Sequence, residues 1–290
     1  MPYGVVANYG VRPNLGVVAN AGVQPNYGTG GAGGAQLTPV FQSDWATQLG
    51  TSLTARLDGT KWTQRVDGGI AVIDAAGLGF PSTMAKVIDI PWNTGGLMHV
   101  DTMAVPSAGD VRYYRWYYRL DVPDAVAVAE THPIQDGFSA ADSNWMFKAF
   151  HNEGGAGNWR VQVEFLGMAY PNQRWRAINV NLTKGEVYRV EFRLEVVTST
   201  TYKAQWRLYD EAGTLVVDNG DLFQEDSTTV TLESADPTFT FRNLTDLHGL
   251  NCGTNNTGVE GGRYGYQGGF AVCDNQGWIG AYGNVTGEAQ

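Results

Sequence analysis

The chain has 290 residues, of which 43% are hydrophobic and 12% aromatic, and it carries a formal net charge of −10. A negative chain argues against a general binder of nucleic acid or anionic membranes, because those proteins depend on clustered positive charge. No run approaches the roughly 20 apolar residues of a membrane-spanning helix. Two cysteines and four histidines leave little material for a disulfide framework or a metal cluster.

The first 35 residues contain an internal repeat. Gly4–Leu15 reads GVVANYGVRPNL and Gly16–Tyr27 reads GVVANAGVQPNY, so nine of the twelve positions are identical. A glycine-rich stretch, GTGGAGGA, follows and is typical of a flexible linker. The segment has one charge, Arg12, and neither the basic start nor the apolar stretch of a secretory signal. We therefore predict no export signal.

Two interpretations fit this repeat. It is either a disordered tail or an assembly arm that adds strands to, or lies in a groove of, a neighbouring subunit. Its low charge favours the arm, since disordered tails are usually charged. We expect an arm and linker at 1–35 and one folded domain at 36–290. The arm residues expected to make contacts are its valines, tyrosines and prolines: Val5, Val6, Tyr9, Pro13, Val17, Val18, Pro25 and Tyr27.

Alternating polar and apolar residues dominate the rest of the chain. In Arg112–Asp121 (RYYRWYYRLD), one face receives Tyr114, Trp116, Tyr118 and Leu120. Period-2 alternation of this kind is typical of antiparallel strands that cover a core. The same pattern occurs at Trp159–Phe165, Tyr188–Val196 and Tyr202–Tyr209, and Asp210–Gly213 predicts a hairpin turn to Thr214–Val217. Only 44–53 and 125–131 suggest short helices. The sequence thus predicts an all-β antiparallel sandwich.

The order of these segments resembles the concanavalin A-like lectin/glucanase (LamG-like) jelly roll. The resemblance rests on Arg112–Asp121, Trp145–His151, Gly185–Glu195, Tyr202–Asp210 and Gly269–Tyr282. The last of these, GFAVCDNQGWIGAY, is similar to the closing strand of that superfamily and is its most specific part. The resemblance implies a jelly roll over roughly residues 37–283. It says little about function, because this fold carries lectins, hydrolases, lyases and virion domains.

Two catalytic patterns of this fold were compared with the chain. Glycosidases carry an acidic triad, but here Arg193 stands between Glu191 and Glu195, and these glutamates lie about 13 Å apart on a strand. Polysaccharide lyases use a Tyr or His base with a residue that neutralises the uronate, for which His151, Tyr117 and Arg193 are the candidates. The alginate-lyase motifs Q-[IV]-H and Y-F-K-A-G-x-Y-x-Q are absent. We therefore assign no catalytic residue.

Arginine and tyrosine fill the polar positions of the central strands. If these strands form one sheet, its open face would present guanidinium groups that suit the carboxylates or sulfates of an acidic glycan. The alternative is a solvated ladder in which glutamates pair with the arginines. The candidate glycan-binding residues are Tyr113, Arg115, Tyr117, Arg119, Arg160, Arg174, Arg176, Arg189, Arg193 and Arg207.

Metal and thiol chemistry are weakly indicated. Asp218–Leu222 with Glu225 and Asp226 offers oxygen ligands of the kind calcium prefers, without the spacing of an EF-hand loop. We predict no cofactor and keep calcium as the alternative. Cys252 and Cys273 are expected to be free buried thiols, although a disulfide between them is not excluded.

Taken together, the arm, the jelly roll and the missing export signal predict a non-enzymatic structural virion protein of a bacteriophage. It would be a capsid decoration or minor tail/fibre protein, assembled in the host cytoplasm and located in the virion. We expect it to form a homo-oligomer, to bind other virion structural proteins and to contact acidic surface polysaccharide, without nucleic acid or membrane insertion. The alternative is a polysaccharide-active enzyme (a uronate polysaccharide lyase) or a secreted carbohydrate-binding module.

Overall fold

The structure is a computed structural model that describes residues 35–45, 56–57, 62–66, 71–91, 97–100, 103–121, 131–137, 147–153, 159–166, 174–177, 180–198, 201–218, 222–225, 230–232, 238–240, 250–253 and 263–288. Throughout these residues there are strands and turns but no helix, and hence no helix that could cross a membrane. The all-β prediction is therefore confirmed. Of the two predicted helices, Asp44 and Trp45 are not helical and Thr131 begins a strand. The remaining residues of both lie outside the description.

Twenty strands make up the described fold, and all of their pairings are antiparallel. Most predicted strands begin and end within two residues of the observed ones, because a half-buried strand alternates in sequence as it does in space. The strands are β1 (Phe41–Ser43), β2 (Arg56–Leu57), β3 (Trp62–Val66), β4 (Ala71–Asp74), β5 (Lys86–Pro91), β6 (Leu97–Val100), β7 (Val111–Leu120), β8 (Thr131–Gly137), β9 (Phe147–Glu153), β10 (Trp159–Leu166), β11 (Arg174–Ala177), β12 (Val180–Leu182), β13 (Val187–Val196), β14 (Thr201–Tyr209), β15 (Leu215–Asp218), β16 (Leu222–Glu225), β17 (Val230–Leu232), β18 (Thr238–Thr240), β19 (Leu250–Gly253) and β20 (Arg263–Asp274).

These strands form three sheets. The nine-stranded sheet runs β15-β14-β13-β7-β20-β5-β4, with β1 beside β20 and β18 beside β14. The seven-stranded sheet runs β17-β16-β11-β10-β9-β8, with β12 beside β10. The four-stranded sheet runs β19-β6-β3-β2. The central strands of the predicted arginine band are thus divided between two sheets, with β10 and β11 in one and β7, β13 and β14 in the other.

The apolar face of the nine-stranded sheet is an aromatic core. Tyr114, Phe192 and Trp206 occupy one cross-strand row and are all buried. The rings of Tyr114 and Phe192 have centroids 6.0 Å apart, within the range of favourable aromatic pairs. Burial raises the pKa of the Tyr114 hydroxyl well above its usual value, since the phenolate would lose its hydration. This face therefore contributes packing, and it has no room for a ligand at these residues.

The hairpin between β14 and β15 forms where it was predicted. The Asp210 amide donates to the Thr214 carbonyl at 3.0 Å, and the Gly213 amide donates to the Asp210 carbonyl at 2.9 Å. Gly213 has a φ of 79°, which a residue without a side chain adopts at little cost. The turn chemistry of Asp210–Gly213 therefore sets the register of this edge.

The closing strand ends earlier than its resemblance implied, at Asp274 rather than Tyr282. Asn275 has a φ of 59°, and its side-chain oxygen accepts from the Val111 amide at 2.8 Å. Its side-chain nitrogen donates to Asp110 at 2.9 Å. These bonds hold a left-handed residue that cannot continue the strand. Residues 275–288, which we call the strap, then cross the polar face of the nine-stranded sheet.

The strap also holds the start of the domain. Residues 36–40, which we call the root, lie along it: Leu37 bridges Val285, and the Thr286 amide donates to the Leu37 carbonyl at 2.8 Å. Thr38 and Gln276 exchange two hydrogen bonds, of 2.8 and 2.6 Å. The two ends of the described domain are therefore fastened to each other on one sheet.

Candidate functional site

Arg115 is the centre of the polar face of the nine-stranded sheet, and it is buried with 1% exposure. Its Nε donates to the Gly269 carbonyl at 3.1 Å, and its Nη1 donates to the Ala281 carbonyl at 3.0 Å. Its two Nη groups also bind the carboxylate of Glu288, whose side chain is equally buried. Burial lowers the pKa of Arg115, because it removes water from the guanidinium.

Two glycines in β20 allow the Arg115 contact with Gly269. Between Gly268 and Ala271 the register of β20 with β7 shifts, as in a β-bulge. Gly269 has a φ of 60°, and a Cβ built there would lie 2.6 Å from the Met84 Cε. Only glycine fits this position without movement, and its conformation turns the carbonyl towards Arg115.

Aromatic residues of the strap cover the rest of this face. The Tyr282 amide donates to the Tyr117 hydroxyl at 2.8 Å. The Arg115 guanidinium lies 5.7 Å from the ring centroids of both tyrosines. The ring of Trp278 lies 4.1 Å from the Arg207 guanidinium, a close cation–π contact. Trp278 also meets Tyr113 edge-on, with centroids 5.7 Å apart.

The remaining charges on this face pair with one another. Arg189 Nε lies 2.8 Å from Glu191 Oε1, and Arg193 pairs with Glu195. Although partial burial lowers the pKa of Arg193, its hydrogen bond to Glu195 raises that pKa overall. Arg119 donates from Nη1 to the Leu78 carbonyl at 2.7 Å. Glu191 and Glu195 thus pair with arginines as the ladder interpretation expected, but Glu191 is buried instead of solvated.

The predicted open band of arginine and tyrosine needs correction in two respects. It is not one band, because Arg160, Arg174 and Arg176 belong to the seven-stranded sheet. It is also not open on the nine-stranded sheet, where Arg115, Tyr117 and Arg207 are buried. Alternation showed correctly which residues share a face, but it could not show that the strap covers that face. Tyr113, Arg119, Arg189 and Arg193 are half-buried.

The structure does not assemble the lyase candidates into one site. His151 lies on β9 of the seven-stranded sheet, whereas Tyr117 and Arg193 lie on the nine-stranded sheet. In that sheet Tyr117 pairs with Arg189, and Arg193 pairs with Tyr113, two rows away. Tyr117 is buried and engaged by the strap. The described sheets therefore give no support to a catalytic group made of these three residues.

A second set of polar residues shares one face of the seven-stranded sheet by register. One row joins Asn152, Arg160 and Asn181, and a second joins Lys148, Glu164 and Arg176. In an antiparallel pair, directly opposite residues lie on the same face, and adjacent strands are about 4.8 Å apart. We call the polar members of this face the charged face: Asp136, Lys148, Asn152, Arg160, Gln162, Glu164, Arg174, Arg176, Asn181 and Glu225. The same register places Phe150, Leu166 and Phe223 opposite Gln162, Arg174 and Arg176.

Sequence reasoning missed most of the charged face, and it missed the strap. The alternation of Arg160, Gln162 and Glu164 along β10 was visible, but their partners on neighbouring strands depend on a register that alternation does not give. His151 falls on the opposite parity of its strand, in register with Val161 and His132. Glu288 carried no sequence signal, because its partner Arg115 is 173 residues away.

The remaining predictions fall largely outside the description. The arm residues Val5 to Tyr27 precede residue 35, so the arm stays a prediction. The calcium candidates Asp218 and Glu225 lie on strands whose side chains are not described, and no group of three or more His, Cys, Asp or Glu side chains occurs among the side chains that are. Cys273 is a free, buried thiol, and burial raises its pKa to about 11. The partner suggested for it, Cys252, lies on β19 beyond the described side chains.

Comparison with known proteins gives structural likeness only. No protein-family model and no curated protein matches the chain. An endo-β-1,4-glucuronan lyase from Trichoderma reesei matches with 15% identity over 81% of this chain and 95% of the lyase, with a TM-score of 0.44. An alginate lyase from Aplysia kurodai matches with 8% identity over 81% and 98%, with a TM-score of 0.46. An endo-1,3-β-glucanase from Streptomyces sioyaensis matches with 12% identity over 84% and 98%, with a TM-score of 0.48.

These comparisons correct the predicted function. The described strands form the predicted all-β fold of antiparallel sheets. The prediction of a bacteriophage virion protein is wrong: the similar structures include polysaccharide lyases and glycoside hydrolases, and those provide no link to a capsid or tail. They agree better with the alternative of a polysaccharide-active protein. Likeness at this level concerns the fold alone. Function must therefore be inferred from the residues on the two large sheets.

Proposed function

We propose that this protein binds polysaccharide on the charged face of the seven-stranded sheet. The observation that carries the proposal is the register of β9, β10, β11 and β12, which sets amide and guanidinium residues opposite one another across neighbouring strands. Among the described residues, the apolar face of the nine-stranded sheet is a core, and Arg115 and Tyr117 on its polar face lie under the strap.

The residue types on the charged face suit a sugar polymer. Asn152, Gln162 and Asn181 each supply both donors and acceptors for hydroxyl groups. Arg160 and Arg176 supply planar forks that bind a carboxylate through two parallel hydrogen bonds. The row of Asn152, Arg160 and Asn181 crosses three strands, or about 10 Å. An extended chain that carries carboxylates is therefore the ligand class we assign.

Retention in affinity gel electrophoresis tests this proposal. The full chain is run through gels that contain alginate, polyglucuronate or the neutral β-1,3-glucan laminarin. We expect retention by the acidic polymers and at least a tenfold weaker affinity for Arg160→Ala, a change of about 1.4 kcal/mol. The control is Lys86→Ala, which removes one positive charge from a surface ion pair with Asp74 on the other sheet. No retention of the wild type, or equal retention of both variants, would overturn the proposal.

Cleavage of the same polymers is the second candidate function. It is favoured by His132 and His151, which are direct cross-strand partners on β8 and β9 and bring two of the four histidines together. Because their parity is opposite to that of the charged face, cleavage would need the polymer on the other face of this sheet. An imidazole has a pKa near neutrality and can act as the base that removes a proton from a uronate. The expected result is an unsaturated uronate product from the wild type that His151→Ala no longer forms. If the wild type forms none, this second candidate is lost and binding stands alone.

A further inference from the structure

The strap resembles a bound acidic ligand in its chemistry. Its 14 residues contain one charged side chain, Glu288, and two large aromatic rings, Trp278 and Tyr282. The carboxylate binds the guanidinium of Arg115, and the Tyr282 ring lies 5.7 Å from that guanidinium. A sugar acid likewise presents a carboxylate to an arginine beside a ring whose face can lie against a tyrosine.

The sheet beneath the strap carries surplus positive charge. On the polar positions of β7, β13 and β14 there are six cations, namely Arg115, Arg119, Arg189, Arg193, Lys203 and Arg207. These strands supply two carboxylates on the same face, Glu191 and Glu195. The chain as a whole is negative, with a net charge of −10. Glu288 therefore brings a carboxylate to a locally cationic surface.

The fastening of the strap is local. Glu288 also accepts from the Gly283 amide at 2.8 Å and from the Val285 amide at 3.3 Å, so its carboxylate closes the last turn of the strap as well as binding Arg115. The root adds backbone bonds at Leu37 and side-chain bonds from Gln276. The Glu288 carboxylate thus stabilises the last turn of the strap and also attaches the strap to the sheet.

We propose that Arg115 and Tyr117 form a carboxylate-binding site that Glu288 occupies from within, and that the strap is its lid. The ligand class is a uronic acid: its carboxylate takes the place of Glu288 on Arg115, and its ring takes the place of Tyr282 beside Tyr117. The lid opens as one unit with the root, because the two are bonded to each other. This site lies on a different sheet from the charged face and does not depend on it.

Removal of the internal carboxylate tests the site. Glucuronate binding is measured by calorimetry on full-length wild type, Glu288→Ala and Glu211→Ala, the last being an exposed glutamate in the β14–β15 turn. We expect at least tenfold tighter binding to Glu288→Ala than to the wild type and to the Glu211→Ala control. The gain should vanish in Glu288→Ala combined with Arg115→Met. Acetate should bind more weakly than glucuronate, since it lacks a ring for Tyr117. No gain, or a gain that survives loss of Arg115, overturns the proposal.

Two further measurements test the proposal if Glu288→Ala does not fold. Glu288→Gln keeps the size of the side chain while removing its charge, and it takes the place of Glu288→Ala in the same titration. On the wild type, hydrogen exchange should show amides of the strap and root opening together before those of β7 and β13, and faster with glucuronate. Exchange of the strap only on global unfolding overturns the lid. Repeating the titration in an Arg160→Ala background separates this site from the charged face, because the gain should persist there.

Discussion

The two large sheets use the same alternation of polar and apolar residues to different ends. On the nine-stranded sheet, both faces of β7 are buried: Trp116 has 2% exposure on one side, and Arg115 has 1% on the other. On the seven-stranded sheet, the register sets polar residues of β9, β10 and β11 opposite one another, at Lys148, Glu164 and Arg176 for example. Alternation therefore shows that two faces differ, and the later course of the chain determines which face meets solvent.

Arg115→Met should give the largest loss of stability. It leaves the carboxylate of Glu288 buried without its charged partner, which typically costs about 3–5 kcal/mol. Arg193→Met is the matched control, because its pair with Glu195 is partly exposed and should contribute less than about 1 kcal/mol. Urea unfolding measures both free energies. Equal losses would mean that the strap does not seal the polar face.

Leu194→Ala should come next. Leu194 has 1% exposure in β13, and its truncation leaves a cavity that costs about 2–5 kcal/mol. Gln162→Ala on the charged face should change the free energy of unfolding by no more than about 0.5 kcal/mol while weakening polysaccharide retention. The same urea titration and affinity gels compare the two. A large loss of stability in Gln162→Ala would contradict the assignment of that face to binding.

Cys273 should resist thiol reagents. Because burial raises its pKa to about 11, the thiolate at pH 8 is rarer than in an ordinary cysteine by roughly two orders of magnitude, and alkylation slows accordingly. The raised pKa also means that its contribution to stability is complete below the unfolded pKa and is lost as the pH rises towards 11. Mass spectrometry of iodoacetamide-treated native protein locates the label. Rapid labelling at Cys273 would show that the strap side of β20 is open.

The smallest expected effect is a change in the pH dependence of stability in Asn275→Ala. The hydrogen bond from Asn275 is the main cause that lowers the pKa of Asp110, with a second from the Ser107 amide. A lowered pKa contributes stability above the unfolded value, and that stability is lost as the pH falls through the folded value. The variant should therefore lose less stability than the wild type between pH 5 and pH 3. Thermal unfolding at both pH values checks this, and an unchanged difference would remove Asn275 as the cause.

The sequence was a good guide where structure is local. The hairpin at Asp210–Gly213 was predicted from turn chemistry, and β13 began one residue before its predicted start. Prediction failed where the outcome depends on distant residues. The sequence around Arg115 does not indicate that Glu288 is its partner. The sequence of β10 does not indicate which residues of β9 lie opposite it. The closing strand was predicted too long because Asn275, a single left-handed residue, ends it.

For the candidate site too, the sequence predicted local features correctly and long-range ones incorrectly. The arginines were correctly recognised as residues of polar parity, but parity alone assigned Arg160 and Arg115 to one surface. Sheet membership is decided by long-range pairing, whose entropic cost is not visible in a short window of sequence. Alternating residues should therefore be assigned to one binding surface only after the order of strands in each sheet is known.

The bridge between Leu37 and Val285 has a practical consequence for how this domain can be held. The first and last described residues meet over the nine-stranded sheet, so a tether at either end pulls on the same side of the molecule. If the protein is immobilised through a tag at either end, a pulling force acts first on the strap and the root. Both segments would then detach from the same sheet. Force applied between the two ends would therefore break the hydrogen bonds between root and strap before those of the central strands.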